Sequence, residues 1–114
     1  MDGQGILRLQ ALVPQVFVED SVLDYILRLV EATRTESEFR AGVSVRGGLA
    51  LRAASQARAL ALGRDFVLPE DVAAMVPAVL GHRLALARHP GDALEERRAI
   101  GAVLGRIVGA LAQP

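Results

Sequence analysis

Gly42-Val43-Ser44-Val45-Arg46-Gly47-Gly48, the alanine- and leucine-rich run behind it, the turn Gly63-Arg64-Asp65 and the segment Leu68-Pro69-Glu70-Asp71-Val72 decide how this chain folds. Ser44 stands where a helix N-cap belongs, and the run from about Val45 to Leu62 predicts a long helix that Gly63 stops. Asp65-Phe66-Val67-Leu68 reads as a short extended piece. Pro69 then takes the first position of another helix, with Glu70 and Asp71 at the positive end of its dipole. That helix runs to Val76-Pro77, where proline either kinks it or starts a further one ending near Arg83.

Upstream, Ile6 to Leu12 predicts a short helix closed by Pro14, because the residue before proline is pushed out of the α region. Val16-Phe17-Val18 is extended. Asp20 or Ser21 then caps a helix to about Thr35, with Asp24 completing a capping box and Val22, Ile26, Leu29, Val30 and Thr33 on one face at helical spacing. The two extended pieces, each leading into a helix with acidic residues at its start, can pair as a minimal two-stranded β element. Downstream, Arg88-His89-Pro90-Gly91 is a turn, and Asp92 caps a last helix to about Leu111. Its face Ile100, Val103, Leu104, Ile107, Val108 and Leu111 reads as a packing face, beside a row of Gly101, Gly105 and Gly109. The expectation is an all-α small helical bundle over residues 6–114, preceded by residues 1–5 as a linker end or an artificial start.

Composition agrees. The chain has 114 residues, 52% of them hydrophobic but only 4% aromatic, so one domain with an aliphatic core is expected. Thirteen basic residues, all arginine, balance thirteen acidic ones and supply no overall field for nucleic acid or an anionic membrane. Without cysteine there are no disulfides, thiolate metal ligands or thiol nucleophiles, which suits a cytoplasmic protein. No apolar run approaches the roughly 20 residues of a membrane span.

Autonomous catalysis finds no support in the sequence. A phosphate-binding P-loop needs a lysine, and the chain has none. Gly42-Val43-Ser44-Val45-Arg46 differs from a nucleophile elbow because Arg46 stands where a small residue must allow the sharp turn. His82 and His89, the only histidines, do not form a short metal-binding pair, and His82-Arg83 complements the negative end of a helix. The neighbouring carboxylates Glu95-Glu96 and Glu36/Glu38 read as solvated faces.

Arg40, Arg46, Arg52, Arg58 and Arg64 recur every six residues. Six helical steps turn a side chain by roughly 240°, which spreads these groups around the axis instead of lining one face. Arg46 alone falls within about 60° of Leu49, Ala53, Ala57 and Leu60, taken as the apolar stripe, whereas Arg52 and Arg58 project well away. An inward arginine in the first turn calls for an anion, either an internal carboxylate or an external phosphate.

Val18-Glu19-Asp20 with Leu23-Asp24-Tyr25-Ile26, then Thr33-Arg34, Gly42 to Arg46, Gly63 to Val72 and His82-Arg83 together resemble the C-terminal lid of the MoxR family of AAA+ ATPases, over about Ile6 to Leu86. In that family a Gly-x-Ser-Pro-Arg segment starts a lid helix and supplies a sensor arginine that reaches the γ-phosphate. The resemblance gives this role to Arg46, with Gly42 and Ser44 positioning the segment; the chain departs at Val45, where proline is usual, and at Gly47, where alanine is common. It implies a parent protein that binds ATP and Mg²⁺, joins the lid to an upstream AAA+ core, assembles as a ring and does chaperone-like work on partners, some with von Willebrand factor A domains. The lid alone is then not expected to be catalytic or to bind ATP or a metal. The alternative is a free-standing helical interaction domain, such as a histone-like dimer, since a helix ending at Gly-Arg-Asp before Leu-Pro-Glu-Asp-Val suits that fold too.

Overall fold

The computed structural model describes residues 3–88 and 91–114, with the side chains of Ile6, Leu7 and Leu9 outside the described set. Among the described residues five α-helices follow one another: α1 Gly3–Leu12, α2 Asp20–Thr35, α3 Val45–Ala61, α4 Pro69–Leu80 and α5 Ala93–Ala110, with short 3₁₀ turns at Val13–Gln15 and Gly81–Arg83. Gly3–Gly5, set apart in the sequence reading, form the first turn of α1.

Helix α2 is amphipathic as its spacing predicts. Val22, Ile26, Leu29, Val30 and Thr33 are all buried, and Tyr25 joins them. Its start differs from the expectation. Glu19 is the N-cap, and neither Asp20 nor Ser21 caps the helix. The Glu19 carbonyl already accepts from Val22 and Leu23, so the cap lies one residue before Asp20 and two before Ser21. Asp24 closes no capping box; it pairs with Arg28 one turn on.

The C-terminal end of α3 is closed by a Schellman arrangement. Gly63 has φ +80°, its N–H donates to Leu60, and the Arg64 N–H donates to Ala59. From there the chain enters its extended piece, where Phe17 and Phe66 form one parallel bridge. Phe17 donates to Asp65 at 2.9 Å and Val67 donates back to Phe17 at 2.8 Å. The expected β element is thus this single bridge. An antiparallel bridge between Phe39 and Leu86 ties the α2–α3 loop to the segment before α5.

Helix α4 passes through Pro77 to Leu80 without breaking there, and Val72, Val76 and Leu80 are buried on one side of it. Pro77 itself is exposed, so its ring faces solvent instead of a neighbouring helix. At α5 the sequence reading holds: the Asp92 side chain accepts from Glu95 at 2.8 Å, and Ile100, Val103, Leu104 and Ile107 are buried. Gly101, Gly105 and Gly109 have open space where a Cβ would stand, so their spacing serves no close helix contact within this fold. Arg106 reaches from α5 to Glu36 and Glu38 of the α2–α3 loop. The turn assigned to residues 88–91 lies partly outside the described residues, at His89 and Pro90.

The core joins α2, α3, α4 and α5, with α3 and α4 in the most extensive contact. Among the described residues no helix is long and apolar enough to cross a membrane.

Candidate functional site: the two ends of helix α3

Helix α3 lies the other way round from the sequence expectation. Its buried residues are Gly47, Leu51, Ser55, Gln56 and Ala59. Leu49 is 59% exposed, Ala53 and Ala57 are exposed, and Leu60 is half-buried. Arg46 therefore stands on the exposed side, roughly 180° from the buried face. Five of the six alanines of α3 cluster on this exposed side, while the buried side mixes Leu51 and Ala59 with Gly47, Ser55 and Gln56, so side-chain hydrophobicity does not mark the face that packs.

Hydrogen bonding and close approach set its orientation instead. The buried Gln56 donates to the Val16 carbonyl at 2.8 Å, and the buried Ser55 donates back to Leu51 at 2.7 Å. Gly47 packs against Val43: a Cβ there would overlap the Val43 side chain and sit 3.2 Å from the δ-carbon of Arg83. This close approach is the physical reason for glycine at position 47.

The loop leading into α3 is fixed at several points. Val43 is buried; its N–H donates to the Thr33 hydroxyl at 3.1 Å, and its carbonyl accepts from Arg34 Nε at 2.9 Å. Thr33 in turn donates to the Val30 carbonyl. A Cβ on Gly42 would overlap the backbone of Arg34, so only glycine lets the loop lie this close to α2. Ser44 occupies the N-cap with extended backbone, φ −78° and ψ 173°, but its side chain makes no capping bond. Arg46 follows in the first helical turn, where free N–H groups and the helix dipole favour an anion. Among the described residues no ion pair or side-chain hydrogen bond engages Arg46. The internal carboxylate that spacing left open as its partner is therefore not found among the described residues.

That carboxylate stands at the opposite end of the helix and serves other arginines. Asp71 has a fully buried side chain and accepts from Arg64 at 2.6 and 2.8 Å, from the Leu68 N–H at 2.7 Å, and from Arg58. Arg58, read from its angle as projecting away, in fact crosses to α4. The hydrogen bonds from Arg64, the largest influence, hold the Asp71 carboxyl at about 2 against the opposing effect of burial, with Leu68 and Arg58 adding to the lowering. Sequence reasoning saw Asp71 only as a dipole partner. The overlooked signal was an acid in the first turn of α4, shortly after two arginines on the preceding helix and turn.

A second feature was missed beside Arg46. Val45 is 71% exposed, Leu27 of α2 is 66% exposed, and with Leu49 they wall a groove of about 520 Å³ between α2 and α3. The signal was Leu23 and Leu27, two leucines lying off the stripe that α2 buries.

This arrangement has known counterparts. The AAA lid domain family matches residues 31–102, from within α2 to within α5. The chain belongs to the AAA lid domain family. The lid is 36% identical to Chaperone MoxR1 of Mycobacterium tuberculosis over 96% of its own length and 30% of that protein's. It is 39% identical to the uncharacterized protein YeaC of Bacillus subtilis over 97% of its length and 34% of that protein's. The solved structure of a putative ATPase from Cytophaga hutchinsonii superposes with a TM-score of 0.80 at 25% identity, over 96% of this chain and 35% of that one. The lid thus spans about a third of the length of these relatives and shares their ancestry. As in the sequence expectation, it is an all-α lid.

Proposed function

We propose that this lid couples ATP binding and hydrolysis in the protein that carries it to movement of the lid, and that Arg46 is the residue that reads the γ-phosphate. The supporting observation is an exposed guanidinium in the first turn of α3, without an internal anion, on a loop fixed by Gly42, Val43 and Thr33. A guanidinium offers a phosphate directed N–H donors, and a fixed base keeps them aimed as charge develops on the transferred group. ATP and Mg²⁺ belong to the rest of that protein, with its AAA+ core and the neighbouring subunits of a ring as the lid's partners. Chaperone-like work on protein clients, including ones with von Willebrand factor A domains, completes the reading.

The deciding experiment replaces Arg46→Ala in the whole ATPase. Turnover of ATP is expected to fall by about 100-fold, the range for loss of one donor that stabilises developing charge. Stability of the lid should stay within about 0.5 kcal/mol, as for a surface substitution. Unchanged turnover removes Arg46 from the site.

A further inference from the structure

The single bridge between Phe17 and Phe66 turns its side chains two ways. Val16 and Val67 are buried, whereas Phe17 is 63% exposed and Phe66 43%, in keeping with the alternation of extended chain. Leu62, at the end of α3, is exposed as well. Two exposed rings on paired residues make a surface that gains by being covered. The rings differ in one respect. The Arg64 guanidinium, anchored by Asp71, lies 5.9 Å from the centroid of the Phe66 ring, and no cation stands over Phe17 among the described residues.

We propose that Phe17 and Phe66 form a docking site for a segment of a partner protein, distinct from the ATPase, that lays an arginine across Phe17 beside an aliphatic side chain. Charge selects this occupant. The segments that meet at the bridge carry Glu19, Asp20, Asp65, Glu70 and Asp71 against Arg64 alone, with Arg58 reaching in from α3. Glu19 is exposed and follows Phe17 by two residues, so it lies on the same side of the extended piece. Neither Glu19 nor Asp65 has an ion-pair partner among the described residues. An incoming guanidinium thus finds a ring to stack on and a carboxylate to pair with, the combination that Arg64 already makes with Phe66 and Asp71. An acidic insert would meet repulsion. Position separates this face from the Arg46 turn: Arg46 and Leu62 are sixteen helical steps apart, about 24 Å along α3, so occupancy of one end leaves the other open.

The probe is the peptide Leu-Arg-Leu-Arg with blocked ends, titrated into the isotope-labelled 114-residue chain and followed by the amide resonances, with Leu-Glu-Leu-Glu as its charge-reversed counterpart. The arginine peptide should shift Phe17, Glu19 and Phe66. Phe17→Leu, which keeps an apolar side chain, should weaken binding about fivefold, and Glu19→Gln about threefold. Absence of shifts, equal shifts from the glutamate peptide, or shifts centred elsewhere on the lid overturn the proposal. So does undiminished affinity in Phe17→Leu, which would leave apolar contact without a stacked cation. The lid contains no cysteine, so Phe17→Cys places a single thiol on this face. In the whole ATPase, freed of other reactive cysteines, maleimide should label that thiol as fast as in the 114-residue chain. Protection without any partner present would assign the face to the ATPase itself and overturn the proposal.

Discussion

The two ends of α3 carry arginines on the same six-residue period and use them in opposite ways. At the C-terminal end, Arg58 and Arg64 converge on the buried Asp71, and their charge is spent inside the domain, binding the α3 terminus, the Gly63 turn and the start of α4 into one unit. At the N-terminal end, the backbone is also held, by Thr33, Arg34 and the close approach of Gly42, yet Arg46 has no internal anion among the described residues. A charge whose partner is internal is an element of stability. A charge on a rigid base without such a partner is available to something outside.

The contrast can be broken most directly at the buried end. Asp71→Ala strands two guanidinium groups and should destabilise the lid by about 3 kcal/mol, near the low end for breaking a buried pair because both arginines still reach water. Urea unfolding measures this, and a loss below about 1 kcal/mol would mean that the cluster anchors nothing. Acid tests the same carboxylate. Its folded pKa of about 2 lies below the ordinary 3.8, so its stabilisation is complete above pH 3.8 and disappears as pH falls towards 2. The amount lost is about 2 kcal/mol, and the corresponding step should be missing from the stability profile of Asp71→Asn.

At the other end, Gly42→Ala forces a methyl group against the Arg34 backbone and should cost about 2 kcal/mol, read by the same unfolding measurement. A neutral result would show that the loop is not clamped. The smallest effect has the opposite sign. Val45 is the first residue of α3, and Ser44 already has the extended backbone that a following proline requires, so Val45→Pro should stabilise the lid by about 0.5 kcal/mol by restricting the unfolded chain. Destabilisation there would mean that the helix start differs from the one described.

Much of the fold was legible because local chemistry and tertiary packing agree in it. The α2 stripe, the Gly63 stop, Pro69 at a helix start and the Asp92 cap each follow from a preference that nothing in the structure opposes. The facing of α3 was not legible. Its core side holds Gly47, Ser55 and Gln56: Gly47 packs on Val43 of the loop just before the helix, and Gln56 is held by a hydrogen bond to Val16, 40 residues away, which no local pattern announces. Counting alanines and leucines around such a helix selects its outer face. Angles measured from that outer face therefore put Arg46 inward and sent Arg58 outward, whereas around the axis Arg58 falls between buried Gly47 and Leu51 and so faces Asp71.

The clamp at Gly42 has a mechanical consequence. Gly42 and Val43 leave the loop little slack just before α3: the backbone at Gly42 lies on α2, and Val43 is bonded to the last turn of that helix through both its N–H and its carbonyl. A load applied at the Arg46 guanidinium passes into α2 within one residue pair and is not taken up by bending of the loop. Close-packed cores shift as bodies and do not stretch. On the proposed reading Arg46 is then a handle welded to its door, with the pivot of the motion outside residues 42–46.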